Sequence, residues 1–219
     1  ANMPEAKDLN FTWEEFVRRN NDELVATWGN LANRVLTFAY RHFGGRVPEA
    51  GAWDAGDEAL LAKVDAAFTT VGELLNGCRF KAAITEVMSL AQEANRYLNE
   101  REPWQQIKAD PASAAHTIYV CLRVVDSLKT LLTPFLPFSC QRLHEYLGYS
   151  GNLFGHFRVE QVREKERSHL VLRFDPADGV NGWKPSRLEP GQALRQPAPL
   201  FKKLDEGVIA EEVRRMAGG

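Results

Sequence analysis

Apolar residues return at Val17, Leu24, Trp28, Leu31, Val35 and Phe38, a spacing of three, four or seven that places them on one side of an α-helix. A second line through Val25, Ala32, Leu36, Ala39 and Phe43 widens the buried arc. Thr12-Trp13-Glu14-Glu15 starts this helix as a capping box, in which the Thr12 hydroxyl accepts from the Glu15 amide and the Glu15 side chain reaches back to the Thr12 amide. Gly44-Gly45 ends it and Pro48 keeps it ended. Asn20-Asn21 and Gly29 are poor helix formers within the run and predict a bend.

Residues 44–56 read as a loop. Asp57 then serves as N-cap of a second helix to Asn76, with Gly77 as its stop. Ala83, Val87, Leu90, Ala94 and Leu98 define a third helix from Phe80 to Arg101, terminated by Pro103. Asp110-Pro111 is an N-cap followed by proline in the first turn. The fourth helix carries Ile118, Leu122, Val125, Leu128 and Leu132, until Pro134 and Pro137 break it. A short fifth helix covers Phe138–Leu147 and Gly148 closes it. Beyond it glycine and proline recur and periodicity is lost. Only His169–Phe174 reads as a strand there, and a last helix spans Asp205–Met216. The predicted fold class is all-α: an antiparallel bundle of four long helices and a short one, followed by an extended tail and a C-terminal helix. Residues 1–148 form the bundle domain and 149–219 the tail.

Composition narrows the classes. Hydrophobic residues make up 44% of the 219, enough for a sizeable core, and no apolar run approaches the roughly 20 residues that span a bilayer. The start shows no basic stretch followed by an apolar one, so no signal peptide is expected. Cys78, Cys121 and Cys140 are far apart and form no CxxC pair, which predicts buried free thiols and a reducing, cytoplasmic setting. The net charge of −2 excludes general attraction to phosphate as the basis of nucleic-acid binding. Any RNA contact has to be local, through stacking and base-edge hydrogen bonds.

No motif for nucleotide binding, zinc hydrolysis or a serine nucleophile occurs, and the histidines 42, 116, 144, 156 and 169 show no metal-ligand spacing. No catalytic residue is assigned. On the first helix, Asn30 and Arg34 are four apart and share a face, at about 80–120° from the centre of the apolar line. An amide beside a guanidinium at a core border can read the polar edge of a base. It can equally be a solvated flank. Trp104 follows Pro103 in a polar turn. It fits a stacking platform for an unpaired base, worth about 1–3 kcal/mol, or an indole folded over the bundle end.

Three stretches carry a family resemblance: GNLANR (29–34), LAQEANRYLNEREPWQQIK (90–108) and LLTPFLPFSCQRLHEYLG (131–148). Together with Trp183, LEPGQAL (188–194) and PAPLFKKLDEGVIAEEV (197–213), they make the chain similar to the C-terminal anticodon-binding part of methionyl-tRNA synthetases. The resemblance implies that Asn30 and Arg34 recognise the first base of a CAU anticodon, a cytosine, and that Trp104 stacks on it. Family members often carry Asn one turn before Asn30; this chain has Ala26, which removes a contact there. Helix geometry adds Arg41 as a contact to phosphate or base, and Pro103 beside Trp104 is a further candidate contact.

The HIGH and KMSKS signatures and the zinc knuckle of the family do not occur, so no cofactor is expected in these residues. ATP and zinc belong to a catalytic part elsewhere in the parent ligase. The expected partners are that catalytic part, against which the tail would pack, and the anticodon stem-loop of initiator and elongator methionine tRNAs, with no membrane. A sibling class I synthetase domain and a helical protein-interaction domain are the competing classes.

Overall fold

A computed structural model describes residues 10–176 and 182–217. The first rod is built from α1 (Trp13–Arg19), a π-helical stretch (Asn20–Gly29) and α2 (Asn30–His42). Thr12 caps it as expected, its hydroxyl accepting from the Glu15 amide at 3.2 Å. The other half of the capping box does not form. The Glu15 carboxylate turns to the guanidinium groups of Arg18 and Arg19, whose charge-assisted bonds outcompete a backbone amide.

Where a bend was expected, the helix widens instead. The Thr27 hydroxyl donates to the Asp22 carbonyl, five residues back, at 2.9 Å. Asn21 clasps the C-terminal tail: its Nδ2 donates to the Leu204 carbonyl, and its Oδ1 accepts the Leu204 amide, both at 2.9 Å. Gly29 makes the approach possible, because a Cβ there would lie 2.9 Å from the Leu24 carbonyl oxygen and 3.0 Å from the ring of Phe201.

The remaining helices are α3 (Ala55–Asn76), α4 (Phe80–Arg101), α5 (Pro103–Ala109), α6 (Pro111–Leu132), α7 (Pro137–Tyr146) and α8 (Gly207–Ala217). The spine is α6, which packs against α2, α3, α4, α5 and α7 and buries Ile118, Leu122, Val125, Leu128 and Leu132 completely. Two expectations need correction. The N-cap of α3 is Asp54, while Asp57 completes the capping box from the third helical position and is fully buried. The polar turn expected around Trp104 is a further short helix, which Pro103 opens after ending α4 as expected. Gly77 caps the end of α3 as expected, and Cys78, at φ 54°, is the left-handed residue after it. Of the thiols, Cys121 and Cys140 are buried, and burial pushes both up to about 12, but Cys78 is exposed.

The all-α expectation also changes. The fold is mostly helical, and the tail contains a two-stranded antiparallel hairpin, β1 (His156–Glu164) with β2 (Arg167–Asp175), in which Phe157 faces Phe174 and Val159 faces Leu172. Apolar and charged residues alternate with period two over Phe157–Glu160 and Leu172–Asp175, a pattern too short to stand out between the glycines and prolines on both sides. The helix of the chain end starts at Gly207, two residues later than expected, and packs on α1.

The rest of the described tail lies along the bundle. The Val47 amide donates to the Gln192 carbonyl and the Leu194 amide to the Gly45 carbonyl, while Leu188, Leu194 and Leu200 are buried. A buried polar network locks it down. Asp126 pairs with Lys129 at 2.6 Å and accepts the hydroxyls of Tyr149 and Ser186, and His144 stacks on Tyr149 at 4.8 Å. Burial, reinforced by the Lys129 charge, pushes His144 down to about 4.

Candidate nucleic-acid interface

The candidate surface is assembled at the end of α4. Glu102 cannot easily continue a right-handed helix because proline follows it, and it takes the left-handed conformation at φ 46°. The chain turns and Pro103 opens α5. Below this elbow sits a buried polar cluster around Asp57. The Tyr97 hydroxyl donates to it at 2.6 Å, His116 Nε2 lies 2.7 Å away, and Arg101 bonds both Asp57, at 3.2 Å, and Asp54. The Gly51 amide donates to His116 Nδ1, so a neutral His116 carries its proton on Nε2 and donates it to Asp57. Burial pushes the Asp57 carboxyl up, but the hydrogen bonds from His116, Tyr97 and the Asp54 amide outweigh it and hold it below the usual carboxylate range. The last turn of α4 is thus tied to the start of α3. On the other side, the Thr117 hydroxyl donates to Gln106 Oε1 and ties α5 to α6.

The elbow leaves Pro103 buried and the Trp104 indole 39% exposed. Facing it is Arg34 on α2. Its guanidinium carbon lies 5.0 Å from the centroid of the Trp104 ring, and its Nη2 donates to Asn99 Oδ1 of α4 at 2.9 Å. Arg34 therefore forms a wall between two openings. On one side, a groove of about 560 Å³ runs between the first rod and α4, lined by Ala26, Asn30, Gln92, Asn95, Arg96 and Asn99 among others. On the other, a cleft of about 250 Å³ is lined by Phe38, Arg41, His42, Pro103 and Trp104 among others.

Arg34 and Trp104 touch, and Arg34 and Asn30 share the larger groove. Asn30 and Trp104 do not share an opening; Arg34 stands between them. Arg41 is exposed and falls on the Trp104 side, away from Asn30. The α4 wall, with Gln92, Asn95, Arg96 and Asn99, was not singled out from the sequence. The signal was present: these polar residues recur at three- and four-residue spacing on one flank of a helix whose other side is apolar. What one sequence does not give is the partner of that flank, which is the first rod, through its π-helical stretch and the start of α2.

A helical bundle of this shape is the class of domain carried by tRNA ligases. It resembles the free-state methionyl-tRNA synthetase of Mycobacterium tuberculosis with a TM-score of 0.72 and 27% identity, over 89% of this chain and 35% of that one. Residues 47–165 match the family model for the anticodon binding domain of methionyl tRNA ligase, and residues 1–36 match that for class I tRNA synthetases (M). The chain belongs to the family of methionyl-tRNA ligase anticodon-binding domains. It is 57% identical over 214 residues to a methionine–tRNA ligase of Chloroflexus aurantiacus and 51% identical over 215 residues to one of Thermomicrobium roseum, in each case over 97% of this chain. It spans about 36% of the length of these relatives.

Proposed function

We propose that this domain reads the CAU anticodon, chiefly its first base, for a methionine–tRNA ligase whose ATP-dependent catalytic part lies outside these residues. Asn30 and Arg34 bond the edge of the cytosine and Trp104 stacks on its face. The observation that carries the proposal is the guanidinium of Arg34, suspended between Asn99 and the exposed Trp104 ring at the mouth of the Asn30 groove. Because Arg34 separates Asn30 from Trp104 in the free domain, one base can touch both only after Arg34 has swung off the ring. The guanidinium then offers its donors to the cytosine. Arg41, exposed along the same cleft as Trp104, contacts the neighbouring phosphate, and Pro103 holds the indole in place.

The parent ligase acts in the cytoplasm on both initiator and elongator methionine tRNAs. Residues 1–148 form the reading unit, and the tail after them faces the catalytic part. With a net charge of −2, affinity depends on these local contacts and only mildly on salt. Titration of anticodon stem-loops tests the proposal. A CAU loop should bind at least about tenfold more tightly than a UAU loop, the discrimination of one good base-edge contact. Equal affinities would refute it.

A further inference from the structure

The hairpin of the tail has two unlike faces. Alternation along its paired strands puts Phe157, Val159, Leu170, Leu172 and Phe174 on one face and Arg158, Glu160, His169 and Arg173 on the other. All five apolar side chains are more than half exposed, from 51% at Phe174 to 71% at Leu170, so nothing else in the described domain covers them. We infer that this face is the interface of a homodimer, in which the hairpins of two copies pack face to face and antiparallel, the tip of each over the base of the other.

The face needs a cover. A two-stranded hairpin standing alone is marginal in water, and it gains stability when a further layer packs on its apolar side. At roughly 100 Å² of exposed surface per side chain, the five offer on the order of 500 Å², near the top of what a monomer leaves open. Two such faces together bury on the order of 1,000 Å², the lower limit of a specific interface, which corresponds to a weak dimer rather than an obligate one.

Self-complementarity selects a second copy as the occupant. From base to tip, the face is crossed by opposed pairs: Phe157 with Phe174, Val159 with Leu172, Gln161 with Leu170, and Arg163 with Ser168. A two-fold axis between the facing sheets, perpendicular to the strands, sets the first pair of one copy on the last of the other, and the second on the third. Phe157 then meets Arg163 of the partner subunit, and Leu172 meets Leu170 of the partner subunit. Arg163 is exposed and holds no ion pair or hydrogen bond with another described residue, so its guanidinium is available to lie on the ring. The two Phe rings of the base pair already lean together, with centroids 5.4 Å apart, and form one aromatic platform for it. Tip-over-base overlap also keeps the two helical bundles at opposite ends of the shared layer, where they do not collide. A face made for an unrelated domain has no reason to complement itself in this way.

The dimer does not depend on the anticodon reading, which uses other elements of the fold. Sedimentation velocity of the 219-residue chain, from low to high micromolar concentration, should show a monomer–dimer equilibrium. Leu172→Glu puts a carboxylate in the middle of the interface and should leave only monomer. Arg163→Glu lies outside the apolar cluster, so the hairpin keeps its own packing. It should raise the dissociation constant about tenfold, because two symmetry-related cation–π contacts are lost. Packing direction is read by cross-linking in a Cys78→Ser background, which removes the exposed thiol. Phe157→Cys combined with Arg163→Cys should give a disulfide-linked dimer on mild oxidation. Within one copy these positions are about 20 Å apart along the strand, far beyond disulfide reach. A wild type that is monomeric at every concentration overturns the inference and leaves the face to another part of the parent ligase or to RNA. A dimer that survives both charge variants places the interface elsewhere and overturns it too. Absence of the cross-link in a dimeric protein overturns the antiparallel packing. Thermal melts establish that each variant is folded; if Leu172→Glu is not, Arg163→Glu decides alone.

Discussion

The Arg34 guanidinium rests over the Trp104 ring at 5.0 Å while donating to Asn99 at 2.9 Å, so one side chain from α2 joins both ends of the α4–α5 elbow. Only a planar fork can stack with its face and donate from its edge at once. A lysine has one point charge and must give up one of the two contacts. Arg34→Lys should therefore keep its fold, because the site is partly solvent-exposed, yet lose roughly tenfold or more in affinity for a CAU stem-loop. Thermal melts paired with fluorescence anisotropy check this. A variant that binds as tightly as the wild type would show that the guanidinium geometry is irrelevant.

The elbow is only as well placed as the cluster beneath it. Asp57 accepts from Tyr97, His116 and Arg101 with no exposure to solvent. Asp57→Ala leaves the buried donors of Tyr97 and His116 without an acceptor, and Arg101 with Asp54 alone, and should cost about 3 kcal/mol of stability. Chemical denaturation gives that figure. Near-ultraviolet circular dichroism at a temperature where the variant is still folded should also change, since the Trp53 ring packs on His116 at 5.2 Å and loses its fixed neighbour.

How much of this was legible in the sequence depended on whether a feature was local. The boundaries of α4 and α6 follow from Pro103, Asp110 and Pro111, which act on the backbone beside them. Asn30 and Arg34 could be paired by helix spacing for the same reason. Asp57 was misassigned because two aspartates three residues apart both suit a cap, and only the approach of Tyr97 and His116, 40 and 59 residues away in sequence, decides which one is buried. The α4 wall of the groove was missed for a related reason. Polar residues on a helix flank look alike until the neighbouring helix is known. The widening at Asn20–Gly29 was seen only as a weakness. The residues that pack on it, 201–204, lie at the far end of the chain.

That docking can be tested at Gly29. The conformation at this position is ordinary helix, so alanine is favoured by intrinsic propensity, and in an exposed helix the change would stabilise by up to about 1 kcal/mol. Here the added Cβ meets the Leu24 carbonyl and the Phe201 ring at 3.0 Å or less. Gly29→Ala should instead destabilise by about 1–3 kcal/mol, the cost of overpacking. It should also speed hydrogen exchange of the Leu204 amide, whose acceptor is the side chain of Asn21. A stabilised variant with unchanged exchange would mean that the tail does not press on the helix at this point.

His144 gives the fold a dependence on pH whose sign is fixed by its surroundings. It is fully buried between Lys129 and Tyr149, and its Nδ1 lies 3.3 Å from the Lys129 ammonium. Burial and that charge push it down to about 4 from the ordinary 6.5. The unfolded chain therefore binds more protons than the folded one between these two values. Stability from this group is full above pH 6.5 and is lost as pH falls toward 4, by about 3 kcal/mol at most. Urea midpoints measured across this range should fall with acidity. In His144→Asn, which keeps a polar group in the site without a titrating ring, the wild-type loss between pH 6.5 and 5 should be largely absent. If both proteins lose stability in parallel over that interval, the proton is being taken up elsewhere.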